Sequence, residues 1–431
     1  MVFPAHSRLL PALLLFGLTF ALTLGGILAR PIESLSLFWP VNAVLAGVLL
    51  RHPRHGSFVG IALMYLAMVG ADLLCGSQWY PALWFNLCNV GAVITFWRLL
   101  VNLPRQHRRL RTPHGVLRTF AACAAGAMVA ATLACLMATP WFDQSLRSTW
   151  MAWFSEQFST SVLVLPIMLT APSLPALLRS SGQRISLSPL LMLLASLALS
   201  IGFGGPGAIA FPISALLWCA LSYSPFLLSL LTLTAGSTLI VAVAQNLMHF
   251  SMPQSQAGVT ALMSARLGIA MLVLGPLIVA CISHANRALL ARLAHQANVD
   301  HLTGALTRSA FTRQANALLE GRRQHSQMLP LTLMMLDIDH FKGEEFAIVV
   351  PGLLPEQASF TAERLRRAVQ ELQVRGGEEQ LRVTVSIGIS GCSDQRPASS
   401  LDNLLADADQ ALYRAKAQGR NRVEQAQRQV I

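Results

Sequence analysis

The chain has 431 residues, 54% of them apolar and only 12% charged, where a soluble globular protein carries about 25% charged residues. A mean hydropathy of +0.52 puts most of it in lipid rather than water. The formal charge of +12 does not mark a nucleic-acid binder, because no basic face or aromatic platform is visible. Residues 1–299 hold sixteen Arg against four acids (Glu33, Asp72, Asp143, Glu156), whereas residues 300–431 balance sixteen basic with sixteen acidic residues. The excess positive charge therefore lies in the hydrophobic part, where positive loops orient a membrane protein.

The first apolar run, Leu9 to Ala29, is 21 residues long. That exceeds the roughly 7–15 of a signal-peptide core and reads as an uncleaved span. A bilayer core takes about 20 apolar residues per helix. Further spans are predicted near 35–50, 57–75, 79–97, 119–141, 151–171, 188–204, 208–223, 227–245 and 267–283, ten in all. The second and eighth are short, as for a tilted or re-entrant segment. With the N-terminus inside, 13 of the 16 arginines before residue 300 fall on the cytoplasmic side, and so does everything after residue 284. Asn42, Asn86, Asn89 and Glu156 are polar groups in apolar spans, costly unless paired or facing a cavity. They are the candidate lining of a small-ligand pocket near the outer leaflet; interhelical hydrogen bonding alone is the alternative. The seven cysteines show no CxxC or Cys/His metal spacing and read as buried thiols.

Residues 284–299 form a helical connector. Leu289, Leu290 and Leu293 mark one face, as in a short two-stranded coil or an ordinary juxtamembrane helix. From Asp300 onward a mixed α/β domain is predicted: a helix over 308–323, strands over 331–336 and 346–350, a helix over 357–372, a strand over 381–389 and a helix over 401–417.

Three signals in this part carry chemistry. Asp337-Ile338-Asp339-His340-Phe341-Lys342 puts two carboxylates at i and i+2 at the end of an apolar strand, which suits Mg²⁺, a hard cation taking oxygen ligands. Gly343-Glu344-Glu345-Phe346 is a glycine turn with two successive acids ahead of another apolar strand. In the third, Lys416 and Arg420 stand four apart at a helix end marked by Gly419, a spacing suited to phosphate. Each is weak alone. The chain has only two lysines, Lys342 and Lys416, and both fall in these motifs.

With Asp300-His301-Leu302-Thr303-Gly304 ahead of them and Val383-Thr384-Val385-Ser386-Ile387-Gly388 between, the three signals resemble the GGDEF family of diguanylate cyclases over residues 298–423. The membrane half resembles the MASE1 type of bacterial sensor, through Phe38-Trp39-Pro40-Val41-Asn42 and Trp153-Phe154-Ser155-Glu156-Gln157-Phe158. The resemblance implies a multi-span α-helical membrane sensor over 1–283, the connector over 284–299, and a GGDEF domain over 300–431 with a palm-like, ferredoxin-like antiparallel sheet. It implies an enzyme of the bacterial inner membrane, its C-terminal domain cytoplasmic, that joins two GTP into cyclic di-GMP and releases pyrophosphate, as a homodimer through the GGDEF domain and connector, under control of a small-molecule signal. Carried across, Asp337, the Ile338 carbonyl, Glu344 and Glu345 hold Mg²⁺ or Mn²⁺. Glu344 and Lys342 are catalytic, and Lys416, Arg420 and Phe341 bind the nucleotide. The alternative is a catalytically degenerate membrane sensor or interaction protein carrying a GGDEF remnant.

One departure stands out. Between its DxDxFK and GGEEF motifs the family has roughly three dozen residues, the size of a helical crossover plus a strand. They hold the guanine-reading Asn and Asp and the RxxD product-inhibition site. Here Lys342 runs straight into Gly343. In the family's sheet, of order 2-3-1-4, the missing piece starts where strand 1 ends and finishes where strand 3 begins. Residues 331–337 and 344–350 are therefore expected to join as a direct hairpin, keeping Asp337 and Glu344 close and losing an edge strand.

Overall fold

The computed structural model describes residues 6–28, 37–138, 145–173, 186–249, 260–324, 329–341, 343, 345–376, 379–392 and 400–427. The chain divides into two compact units, Met1–Leu289 and Leu290–Ile431.

Among its described residues the first unit has helices and no strand. Its helices are α1 (His6–Leu28), α2 (Val41–Arg51), α3 (Phe58–Leu74), α4 (Trp79–Val101), α5 (Pro113–Ala138), α6 (Leu146–Thr170), α7 (Ser188–Phe203), α8 (Pro212–Ser222), α9 (Pro225–Ala244) and α10 (Ala261–Asn298). Serine hydroxyls cap several starts: Ser57 accepts the Gly60 N–H, Ser145 that of Ser148 and Ser224 that of Leu227. Each of the ten predicted apolar segments carries a helix. Among the described residues five helices are long and apolar enough to cross a membrane, those at Leu10–Leu28, Trp79–Val101, Pro113–Leu136, Pro225–Ala244 and Ala261–Asn298. The second predicted segment differs from expectation: Leu37–Trp39 is not helical, and α2 begins only after Pro40. At 11 residues α2 is about 16 Å long, roughly half a bilayer core. Helices approach closely at small residues: a Cβ on Gly47 would lie 2.4 Å from the Met168 Cβ, and one on Gly236 2.7 Å from a Leu163 methyl. Outward-facing side chains such as Phe58 (88% exposed) are apolar.

Helix α10 is 38 residues long and runs unbroken through the unit boundary. The predicted connector is thus the end of the last apolar helix, with Leu289, Leu290 and Leu293 all exposed.

The second unit is an α+β domain of α11 (Arg308–Gln324), β1 (Leu331–Ile338), β2 (Glu345–Pro351), α12 (Pro355–Glu371), β3 (Gln373–Gly376), β4 (Glu379–Arg382), β5 (Val385–Cys392), α13 (Leu401–Ala417) and β6 (Val423–Gln425). The main sheet has the order β2-β1-β5-β6, and β3 and β4 form a separate hairpin. β1 and β2 pair directly and antiparallel, Leu331 opposite Pro351 through Asp337 opposite Glu345, as the sequence predicts. Two details differ. The sheet is mixed rather than antiparallel, because β6 follows the α13 crossover and returns parallel to β5. The strand predicted over 381–389 breaks at Val383 and Thr384 into β4 and β5, which belong to different sheets.

Strand alternation sorts the core into two layers. Leu331 and Leu333 pack with Leu319, Leu401 and Leu404 under α11 and α13. Met334, Leu336, Ile387 and Ile389 pack with Ala358 and Ala362 of α12 on the other face. Burying these nine large side chains contributes about 1.5–3 kcal/mol each before entropy is counted. The α13 layer is tight at Gly388, where a Cβ would lie 2.1 Å from the Ala408 carbonyl oxygen. That approach brings the end of α13 down onto the end of β1.

Candidate active site

The site sits at the C-terminal end of β1. By register, Asp337 lies opposite Glu345 on β2 and Ser386 on β5. Residues directly opposite in a ladder project to the same face, so the three side chains form one row across the sheet. It is the α13 face, since Leu333, two residues before Met335 and four before Asp337, packs there. From α13, Lys416 Nζ reaches the Asp337 Oδ2 at 2.8 Å. Asp337 is 9% exposed and Glu345 exposed.

Asp339, which the sequence pairs with Asp337 as a carboxylate suited to Mg²⁺ but which is not in the ligand set the resemblance implies, is buried at 7% exposure. Its carboxylate accepts from Thr384 Oγ1 at 2.7 Å, Ser386 Oγ at 2.7 Å and the Asn421 backbone N–H at 3.0 Å. Its own N–H donates to the Thr384 carbonyl at 2.9 Å. The sequence does carry a signal for it: Ser386 interrupts a largely apolar strand, and a fully buried hydroxyl needs a partner. The β1–β2 connection uses left-handed backbone at His340 (φ +64°) and Gly343 (φ +111°). Phe341 is 58% exposed, and its N–H donates to the Ile338 carbonyl at 3.1 Å. Arg420 is exposed just past α13. Asn421, beside it, also accepts from Arg366, which Glu363 holds at 2.8 Å. The hydrogen bond from Arg366, with help from Arg367, keeps the Glu363 carboxyl down to about 2. Hydrogen bonds from Thr303 likewise lower that of Asp300.

Of the predicted site residues, Asp337, Ile338, Glu345 and Lys416 come together at this corner, with Phe341 and Arg420 on the loops beside it. Lys342 and Glu344 lie outside the described residues. The donors present, two carboxylates and a backbone carbonyl, are hard oxygens and fit Mg²⁺ or Mn²⁺ by type. Among the described residues no group of three or more His, Cys, Asp or Glu gathers around one point.

The polar residues predicted in the first unit are hydrogen-bonded, with Asn42, Asn86 and Asn89 bonded between helices. Asn42 (0% exposed) donates to Asn89 at 2.8 Å and to Gln157 at 2.9 Å. Asn86 donates to Asp72 at 2.5 Å, and Asn89 to Asn86 at 3.4 Å. Glu156 accepts the Trp39 backbone N–H at 2.8 Å and the Thr160 hydroxyl at 2.9 Å.

A mixed sheet between helices, with carboxylates and basic side chains at one strand end, defines an α+β domain that follows a helical, apolar N-terminal unit in the chain. The family described as diguanylate cyclase, GGDEF domain, matches residues 342–422. The chain is 31% identical to the probable diguanylate cyclase DgcF of Escherichia coli O157:H7 over 459 aligned positions, covering 98% of this chain and 96% of that one. It is 33% identical to the DgcF of strain K12 over 308 positions, covering 63% of this chain and 95% of the other. The GGDEF domain of DgcB from Caulobacter crescentus, crystallised with c-di-GMP, is 28% identical, covering 30% of this chain and 94% of that one, with a TM-score of 0.28. The chain belongs to the GGDEF diguanylate cyclases.

Proposed function

We propose that this protein is a membrane-anchored diguanylate cyclase that joins two GTP under control of its helical N-terminal unit. The observation that carries this reading is the row Glu345–Asp337–Ser386 with Lys416 above it, two carboxylates and an ammonium at the end of a buried strand. In the reaction each 3′-oxygen forms a bond to the other nucleotide's α-phosphorus, and pyrophosphate leaves. Asp337, the Ile338 carbonyl and Glu345, with Glu344 beside them in sequence, hold the divalent ion, which supplies charge neutralisation at the phosphates when bound. Lys416 and Arg420 place cations where phosphate charge collects. Lys342 joins them, and Glu344 is the base for the attacking hydroxyl. Phe341 lies against the nucleotide.

The gap ahead of Gly343 bears on base recognition. The DgcF alignment runs over 459 positions although this chain has 431 residues, so at least 28 positions of the alignment meet no residue here. That supports a missing segment, as does the direct β1–β2 hairpin. In this reading the metal and phosphate contacts survive and the guanine contacts do not. A site that hydrogen-bonds a base edge rejects wrong bases because its own polar groups would go unpaired. Without those groups GTP and ATP bind to the full chain within a few-fold of each other. Titrating both nucleotides with Mg²⁺ into the protein in lipid nanodiscs tests this, and a GTP preference of about 100-fold or more would overturn it.

The membrane reading rests on the five long apolar helices and on arginine placement. Both termini are then cytoplasmic, in the bacterial inner membrane. An alkaline phosphatase fused to the C-terminus should be inactive, since that reporter folds only outside; an active fusion would reverse the topology. The exposed leucine face of α10 supports a homodimer through the connector. The Asn42, Asn86, Asn89 and Glu156 cluster is the proposed sensor site for a small molecule.

A further inference from the structure

The end of α13 leads into three successive residues with positive φ: Gly419 (+110°), Arg420 (+61°) and Asn421 (+46°). Two of them are not glycine. Non-glycine residues stay in that sparsely populated region only when their surroundings over-determine them. Here the loop is tied at three backbone points. The Arg420 N–H donates to the Ala415 carbonyl at 3.0 Å, and the Arg422 carbonyl accepts the Ile387 N–H at 2.9 Å. Between them the Asn421 N–H donates to the Asp339 carboxylate at 3.0 Å. That is the one tie of the three made to a charged group, and it comes from the strand end that also carries Asp337.

We propose that Asp339 is a positioning residue: its buried carboxylate latches the Gly419–Asn421 loop to the end of β1 and so fixes where Arg420 presents its charge to the nucleotide phosphates. The proposal rests on the reading of Arg420 as a phosphate ligand. Ser386 donates to Oδ1 and Thr384 to Oδ2, both at 2.7 Å, which holds the carboxylate with Oδ2 also facing the Asn421 N–H. Both Asp339 oxygens are taken by protein donors, so it acts through the backbone of Asn421 beside Arg420. A charge-assisted hydrogen bond is stronger than a neutral one, which suits a tie that must hold two non-glycine residues left-handed.

The test is a double-mutant cycle on the full chain in nanodiscs, reading the dissociation constant of Mg²⁺-GTP. Arg420→Ala is expected to weaken binding about tenfold. Asp339→Ala should do the same, and the double variant should be no worse than either single, because both remove the same contact. Asp339→Asn should recover most of the affinity, since its amide oxygen can take the place of Oδ2. Independent losses that multiply in the double variant, or an Asp339→Ala that binds like wild type, would overturn the latch while leaving Arg420 a phosphate ligand. An Arg420→Ala without effect would overturn the phosphate reading and the latch together. Should Asp339→Ala fail to fold, Thr384→Val, which removes one aiming hydroxyl, replaces it in the cycle, with a smaller coupled loss expected; an additive result overturns the latch equally.

Discussion

Placing between Lys342 and Gly343 the roughly three dozen residues that separate the two motifs elsewhere in the family is expected to raise cyclic di-GMP synthesis by this chain at least about 100-fold. The factor comes from positioning, because misplacing reacting groups by about 1 Å costs on the order of 100-fold. The condensation requires two nucleotides held in line. Metal and phosphate contacts alone leave the base free to swing, and the 3′-hydroxyl swings with it. The insertion point is favourable. β1 and β2 are already paired from Leu331 opposite Pro351 to Asp337 opposite Glu345, so the ends of an inserted segment are neighbours before it is added. Closing a longer loop there costs little, roughly 0.6 kcal/mol for each doubling of its length. β2 is the outer strand of the sheet, so its free edge is open to a returning strand. Product is measured by mass spectrometry after incubation with GTP and Mg²⁺. Robust synthesis by the chain without the insertion would show that the gap is tolerated. A folded insertion variant with no gain would place the rate limit elsewhere.

Much of this was readable from the residues. Apolar runs near 20 residues located the helices of the first unit, and short apolar runs between helical stretches located the strands of the second. The parts that were not readable have identifiable causes. Pro40 ends the second apolar run as a helix at its N-terminal side, yet hydropathy does not register Leu37–Trp39, which are as apolar as the helix after them. Val383 and Thr384 favour strands by type, so the break between β4 and β5 is invisible without knowing that two sheets claim the flanking residues. At the site, spacing identified Asp337 and Lys416 but could not say that they pair, since the 2.8 Å contact depends on how far α13 sinks over Gly388. The contacts of Asp339 were hidden for a related reason. Two acids at i and i+2 look equivalent in a motif, whereas the turn after Ile338 points the second at Thr384, Ser386 and Asn421.

Glu156→Ala should lower the thermal stability of the full chain, by about 1–3 kcal/mol for the buried N–H it strands. The carboxylate lies on α6, 6% exposed, and takes the Trp39 N–H at 2.8 Å and the Thr160 hydroxyl at 2.9 Å. Trp39 belongs to the non-helical stretch before Pro40. In an apolar surround each backbone polar group must be satisfied by a neighbour. Arg266 of α10 serves the same stretch, donating to the Leu37 carbonyl at 2.8 Å. One short segment is therefore held from two helices, and α10 is the helix that continues past the unit boundary. A change at Glu156 thus acts on the packing of the element that leads to the cyclase domain. Glu156→Gln separates the roles. Its amide oxygen still accepts from Trp39, so the melting temperature should stay near that of wild type, while the charge available to a ligand is gone. Loss of signal-dependent cyclic di-GMP output in that variant, at unchanged stability, would support the sensor site; unchanged output would leave Glu156 as a fastener of Leu37–Trp39. A Glu156→Ala protein that melts with wild type would show that the carboxylate does not hold the segment at all.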